Sequence, residues 1–324
     1  MRKYDLIVVG AGASGLAAAR AGRKAGKRVA LVEKARPGGD CTHYGCVPSK
    51  TLLDVAHRVA GAREAQQWGL DSVGAVDFGK VMVHVHEVIG RIEQDESPAQ
   101  LRAEGIELVD GWARFTGSLT LDVDGRELSA RRFVLATGAS AAVPPVPGLS
   151  EVEYLDNRTL FDLTERPEHL LVMGGGAIGV ELSQAFVALG SRVTLIEGAA
   201  RILTKEEPEV SAVMTSVLQR NGVDVRAGTK VERVSAGPTV QLSDGSSVSG
   251  SHLLVAVGRR PSTGGMDLDK AGVELGRQGQ IVTDAYLRTS AAHIYAAGDC
   301  TTPLQFTHVG DEQGRLGRVS ELMR

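Results

Sequence analysis

An internal repeat constrains this chain more than any other feature. The segment VGAGASGLAAARAGRKAGKRVALVE at residues 9–33 aligns without a gap on MGGGAIGVELSQAFVALGSRVTLIE at residues 173–197. Identical positions include the loop glycines Gly10, Gly12 and Gly15 with Gly174, Gly176 and Gly179. They also include Ala13 with Ala177, Gly26 with Gly190, Arg28 with Arg192, Val29 with Val193 and Glu33 with Glu197. Each copy predicts a strand, a glycine turn, an amphipathic helix and a second strand. In such a turn the first glycine makes the bend, the second lets backbone approach a pyrophosphate, and the third lets helix and strand pack closely. The phosphates then rest on the helix N-terminus. The acid that closes each copy, Glu33 or Glu197, stands about 20 residues on, where it accepts hydrogen bonds from a ribose. Glycines kept only for packing would not need the acid twice, so the repeat predicts two dinucleotide sites.

The 324 residues suffice for two domains of ordinary size, each with its own core. A formal net charge of −3 gives no electrostatic case for nucleic acid or an acidic membrane surface as partner. Arg2 and Lys3 followed by an apolar run resemble a signal peptide, but Gly10, Gly12 and Gly15 interrupt that run at nucleotide-loop spacing. No stretch reaches the roughly 18 uninterrupted apolar residues of a membrane span, and the expected location is the cytoplasm. Three cysteines are too few for an extracellular disulfide framework, and the closeness of Cys41 and Cys46 points to redox or metal chemistry.

Two further apolar runs end in glycine, RRFVLATGAS at Arg131 to Ser140 and HLLVAVGRRP at His252 to Pro261. Asp-Gly turns within Asp122 to Leu128 and Leu242 to Val248 predict small hairpins. The proline-rich stretch Val143 to Gly148 reads as a linker. The expected fold class is α/β, with two Rossmann-like domains, each a parallel sheet plus a small antiparallel hairpin layer. The second, residues 147–261, is inserted into the first, residues 1–146 plus 262–324.

Directly after the first ribose acid comes GGDCTHYGCVPSKTLL, Gly38 to Leu53. Proline favours the first turn of a helix, so the run from Val47 starts near Pro48 and puts Cys46 at a helix N-terminus. A thiolate there is favoured by the helix end, and Lys50 one turn in adds to it. The competing readings are a static disulfide and half of a zinc site; the latter lacks two further ligands nearby, so no metal is expected.

GGDCTHYGCVPSK resembles the active-site motif of the class I pyridine nucleotide-disulfide oxidoreductases, which include lipoamide dehydrogenase, glutathione reductase and mercuric reductase. CVPSK is most similar to the mercuric reductase-like members. The resemblance extends through ATG at Ala136 to Gly138, GGGAIGVE at Gly174 to Glu181, VGRRP at Val257 to Pro261 and AAGDCTTPLQFTHVG at Ala296 to Gly310. It implies FAD in the first domain, NAD(H) or NADP(H) in the second, and a Cys41/Cys46 pair cycling between disulfide and dithiol, Cys46 facing the flavin and Cys41 exchanging with substrate. Lys50 would lie by the flavin, ion-paired with Glu181, and these four would be the catalytic residues. Asp299 would hold the ribityl chain, Ala113 in GWARF would meet the adenine side through its backbone, and Thr307 would lie near the isoalloxazine. Further flavin contacts are expected at Gly10, Gly12, Ala13, Ser14, Gly15, Glu33, Lys34, Gly39, Asp40, Ala136, Thr137 and Gly138. Nicotinamide-nucleotide contacts are expected at Gly174, Gly176, Ala177, Ile178, Gly179, Glu197, Val231 and Gly258.

Glu197 would accept from a free ribose 2′-hydroxyl and repel a 2′-phosphate, so NADH is favoured over NADPH; Arg201, four residues on, would soften that preference. Family members continue for roughly another domain, a dimer interface that supplies a partner-subunit His/Glu pair toward the exchanging thiol. It has no counterpart in these 324 residues, and neither does the second cysteine pair of mercuric reductases. The expectation is therefore a monomer or atypical dimer, and Hg(II) reduction is not expected. His43, between the cysteines, is a candidate local proton carrier; His308 and Cys300 are expected to be packing residues. The expected reaction runs from NADH through FAD to the cysteine pair and on to a disulfide or other oxidised acceptor. A diaphorase that bypasses the cysteines and a nucleotide-binding portion needing a partner chain are the alternatives.

Overall fold

A computed structural model describes residues 2–69, 71, 74–301 and 304–316 of the chain. Thr302 and Pro303 of the AAGDCTTPLQFTHVG segment, and the 317–324 end of the first expected domain, lie outside the described residues. In chain order the elements are β1 (Arg2–Val9), α1 (Ala13–Lys24), β2 (Val29–Glu33), α2 (Gly39–His43), α3 (Cys46–Glu64), α4 (Phe78–Gln94), α5 (Pro98–Ala103), β3 (Glu107–Asp110), β4 (Ala113–Gly117), β5 (Thr120–Val123), β6 (Arg126–Leu135) and β7 (Ala139–Ala141). They continue with β8 (His169–Met173), α6 (Ala177–Ala188), β9 (Arg192–Glu197), α7 (Pro208–Arg220), β10 (Val223–Ala227), β11 (Val231–Ser235), β12 (Thr239–Leu242), β13 (Ser247–Ser249), β14 (His252–Val255), β15 (Arg259–Pro261), β16 (Ile294–Ala296) and α8 (Thr307–Leu316).

The chain divides into two compact units, one comprising Met1–Cys46, Gly90–Ser140 and Arg259–Arg324, the other Val47–Ile89 and Ala141–Gly258. In the first, the sheet runs β3-β2-β1-β6-β5-β4, with β16 also on β6. β1, β2, β3, β6 and β16 are parallel neighbours. β6 is long enough to serve two partners along the edge away from β1: Arg126 to Ser129 pair antiparallel with β5, and Phe133 to Leu135 pair parallel with β16. The β5–β6 turn is Asp124-Gly125, both at positive φ, the geometry a two-residue hairpin requires.

The strands read as continuous apolar runs because both sheet faces are covered. Along β1, Ile7 and Val9 join a core with Phe115, Leu121, Met266 and Ile281. Their neighbours Leu6 and Val8 point to the other face and join Leu16, Ala18 and Ala19 of α1 and Leu101 of α5. α8 lies flush on α1: a Cβ on Gly314 would run into the Ser14 carbonyl and the Ala17 methyl. α8 begins at Thr307, whose hydroxyl lies 3.2 Å from Cys46 Sγ.

The second unit repeats the scheme with a parallel sheet β10-β9-β8-β14 and a separate antiparallel sheet β11-β12-β13. Leu170, Val172, Val193 and Leu195 pack toward helices, with Val180 and Phe186 of α6, Leu52 and Ala56 of α3 and Val81 and Val85 of α4. Leu171, Met173, Ile196 and Leu253 face Val234, Val240 and Leu242 of the antiparallel layer.

The unit boundaries differ from the sequence expectation in two respects. The breaks fall at 140/141 and 258/259 rather than at 146/147 and 261/262. Residues 47–89 group with the second unit, because Leu52, Ala56, Phe78, Val81 and Val85 bury their apolar stripes in its core.

Candidate active site

The two glycine loops have the same internal geometry. Gly10 has φ +101° and Gly174 φ +111°, a region L-residues rarely adopt. A Cβ on Gly10 would strike the Ala136 carbonyl, and one on Gly174 the Ala256 carbonyl. A Cβ on Gly15 or Gly179 would strike the carbonyl of Gly10 or Gly174. The fold therefore requires the first and third glycines of each loop. It does not require the second. Gly12 and Gly176 sit at φ −79° and −75°, which any residue adopts. A Cβ on Gly12 would come no nearer than 4.0 Å to Gly39 Cα, and one on Gly176 would have nothing within 4 Å. Each caps a helix with no side-chain hydrogen bond and no acid in the first turn, so Ala13 and Ala177 begin helices whose N–H groups face an open cradle. A diphosphate fits both cradles.

The two acids also correspond. Glu33 Oε2 accepts from Ala11 N at 2.7 Å, and its Oε1 from Lys34 N and Ala35 N at 2.9 Å each. Glu197 Oε2 accepts from Gly175 N at 2.7 Å and its Oε1 from Ala199 N at 2.7 Å. Each carboxylate thus fixes its own glycine loop and keeps lone pairs for hydroxyl donors. Beside Glu33, a cavity of about 320 Å³ is lined by Gly10, Lys34, Trp112, Ala113, Thr137 and Ser262, among others. Lys34 Nζ stands 4.1 Å from the Trp112 ring centroid. Ser14 turns its hydroxyl toward Gly298 and Gly310, leaving only its backbone for the loop.

Cys41 lies in α2 and Cys46 is the first residue of α3. Neither is in a disulfide and both are half-buried. Their side chains are hydrogen-bonded to one another; that bond, and then burial, push the Cys41 thiol far above the usual range. Cys46 Sγ also lies 3.2 Å from the Thr307 hydroxyl at the start of α8. His43 is buried, its Nε2 2.7 Å from the Pro37 carbonyl, so Nε2 donates there and is committed. Thr42 donates to Glu96 Oε2 at 2.8 Å, and burial raises the Glu96 carboxyl. Cys300 is fully buried, its thiol against the Leu135 and Ala297 carbonyls, a packing residue.

Arg259 was legible only as part of VGRRP, and its role was missed. Its Nη2 donates to Asp40 Oδ2 at 2.6 Å and to the Ala139 carbonyl at 2.7 Å, and its Nε lies 3.6 Å from Asp299 Oδ2. Burial pushes Asp299 up, Arg259 pulls it down and Asp40 pushes it up again. Trp112 was likewise missed as a cavity wall; no periodic pattern marks it.

In the second unit Lys50 Nζ reaches both oxygens of Glu181, at 2.8 and 3.0 Å. Arg201 donates to the Leu203, Thr204 and Glu206 carbonyls at 2.8 to 3.2 Å. Its guanidinium is tied to the loop after β9. Ile178 is exposed in the first turn of α6, Val231 opens β11 half-buried, and Gly258 has φ +140°. Among the described residues no group of acids, histidines and cysteines is arranged to hold a metal ion, and no helix is long and apolar enough to cross a membrane.

Two dinucleotide-type units and a hydrogen-bonded cysteine pair define a redox protein of the two-nucleotide kind. The family model for pyridine nucleotide-disulphide oxidoreductases matches residues 4–314, and the chain belongs to this family of flavin- and pyridine nucleotide-dependent oxidoreductases. It is 38% identical to a mercuric reductase of Streptomyces lividans over 97% of this chain and 69% of that protein. It is 36% identical to a dihydrolipoyl dehydrogenase of Thermus scotoductus over 97% and 70%. The chain spans only 51% of the mercuric reductase of Bacillus cereus. The solved structure of the HOCl-induced flavoprotein disulfide reductase RclA of Escherichia coli superposes with a TM-score of 0.89 at 32% identity, over 99% of this chain and 72% of that one.

Proposed function

We propose that the chain binds FAD at the Gly10–Gly15 loop and NADH at the Gly174–Gly179 loop, and that it reduces a disulfide acceptor through Cys41 and Cys46. The observation that carries this reading is the hydrogen-bonded dithiol, capped by Thr307, in the same unit as the Gly12 cradle. FAD, when bound, supplies the two-electron carrier between a nicotinamide and a disulfide. The residues do the rest. Gly12 and Gly176 leave room for the diphosphates, Glu33 and Glu197 accept from the riboses, and Asp299 accepts from the ribityl chain. Lys50, held by Glu181, places a positive charge four residues along α3 from Cys46.

Reduction of the Cys41–Cys46 disulfide leaves the proton on Cys41 and the negative charge on Cys46, where the helix end and Thr307 stabilise it. Cys41 must then lose its proton before it attacks the acceptor disulfide, releasing one acceptor thiol and forming a mixed disulfide. Cys46 attacks Cys41 in turn, restores the intramolecular bond and releases the second thiol. In balance, NADH, one proton and the acceptor disulfide give NAD⁺ and two thiols. The preference for NADH rests on Glu197 at the ribose and on the Arg201 guanidinium being held by carbonyls of its own loop. Anaerobic NADH titration of the FAD-loaded protein tests the reading. A long-wavelength thiolate-to-flavin band should appear in the wild type and vanish in Cys46→Ser. Flavin bleaching with no such band in the wild type would remove the cysteines from the pathway.

A further inference from the structure

We infer that Arg259 serves flavin binding chiefly by neutralising Asp40, an anion the sequence places beside the diphosphate loop. This rests on the reading that FAD occupies the first unit. Asp40 follows Gly39, and Gly39 is packed against the loop so closely that a Cβ on it would lie 2.8 Å from Gly12 Cα. Asp40 therefore directly follows the residue packed on the glycine at which a diphosphate approaches, and its carboxylate is held by Arg259. A negative side chain there opposes the ligand's own charge, and in a partly buried setting that repulsion is screened weakly by solvent.

Arg259 answers it. The side chains of Arg259, Asp40 and Asp299 are 16%, 21% and 22% exposed, so all three charges are largely withdrawn from water. The guanidinium is short-bonded to Asp40 and anchored on the Ala139 carbonyl, and its Nε faces Asp299. Two carboxylates thus share one cation, and Asp40 is among the groups that raise Asp299. Without the arginine, both carboxylates would lose the cation they share. The alternative role, a direct contact from Arg259 to the phosphates, would leave Asp40 unimportant to it. The two roles predict opposite results for one double variant.

The test is FAD affinity, measured by flavin fluorescence on refolded apoprotein, for wild type, Arg259→Gln, Asp40→Asn and the double variant. Arg259→Gln should weaken FAD by about a hundredfold or more, the scale of leaving a largely buried charge without its partner. Asp40→Asn/Arg259→Gln should recover most of that loss, because the charge needing compensation is gone. Asp40→Asn alone should bind FAD at least as tightly as wild type, and it decides the matter if Arg259→Gln does not fold. A double variant as weak as Arg259→Gln, or an Asp40→Asn variant weaker than wild type, would overturn the inference. Failure of the wild type to bind FAD would instead overturn the proposed function.

Discussion

Gly12→Ala and Gly176→Ala should make the apoprotein more stable and its nucleotide binding worse. At φ −79° and −75°, with no atom nearer than 4.0 Å to the new methyl, alanine enters without strain. It then stabilises by roughly 0.4–1 kcal/mol, through reduced freedom of the unfolded chain. For units of this size that is a rise in Tm of about 1–4 °C. The same methyl occupies the cradle in front of the first helical N–H groups. Loss of even one hydrogen bond to a charged phosphate costs about 1.5–3 kcal/mol, roughly ten- to a hundredfold in affinity. The neighbouring positions are internal controls. Gly10→Ala and Gly174→Ala place a methyl on a carbonyl at positive φ and should destabilise the apoprotein outright. Calorimetry of the apoprotein and flavin-fluorescence titration read the two effects separately. A Gly12→Ala variant that melts lower than wild type, or binds FAD equally well, would refute the assignment of the second glycine to the ligand.

Three further outcomes follow from the same geometry. Glu197→Gln should raise the preference for NADPH by about tenfold, the effect of removing one repelled charge, whereas Arg201→Ala should leave the ratio of kcat/KM values unchanged because its guanidinium is held by the Leu203, Thr204 and Glu206 carbonyls. In the reduced protein, alkylation of Cys41 should be slow at pH 8 and still rising at pH 10, since a raised thiol pKa keeps the thiolate scarce below it. Cys46→Ala removes the largest cause of that rise and should move the profile to lower pH; an unchanged profile would refute the thiol–thiol bond. Lys50→Met should change Tm by less than about 1 kcal/mol's worth, as the lysine side chain is 63% exposed, yet slow flavin reduction by NADH in stopped flow; an unaltered rate would confine Lys50 to the surface.

The glycine loops, the acids Glu33 and Glu197 that close each repeat and the start of α3 were legible in the sequence because each depends on local backbone and short spacing. Asp124-Gly125 specified its hairpin by itself, and Pro48 located the helix that Cys46 opens. The side to which α3 and α4 belong was not legible, because an amphipathic stripe states that a face is buried and not which sheet buries it. Asp40 and Arg259 are 219 residues apart, and no local pattern couples two charges at that separation. Spacing brought His43 and Arg201 each near a site, but no local pattern shows that the Pro37 carbonyl takes the His43 Nε2–H or that the 203–206 carbonyls hold the Arg201 guanidinium.

The central claim is that electrons from NADH reach Cys41 and Cys46, and thiol mapping tests it most directly. The FAD-loaded, oxidised protein is reduced anaerobically with one equivalent of NADH, denatured in excess alkylating agent and mapped by mass spectrometry. Labels on both Cys41 and Cys46, against labelling of neither without NADH, are the predicted result. A flavin reduced by NADH while Cys41 and Cys46 remain joined as a disulfide would contradict it.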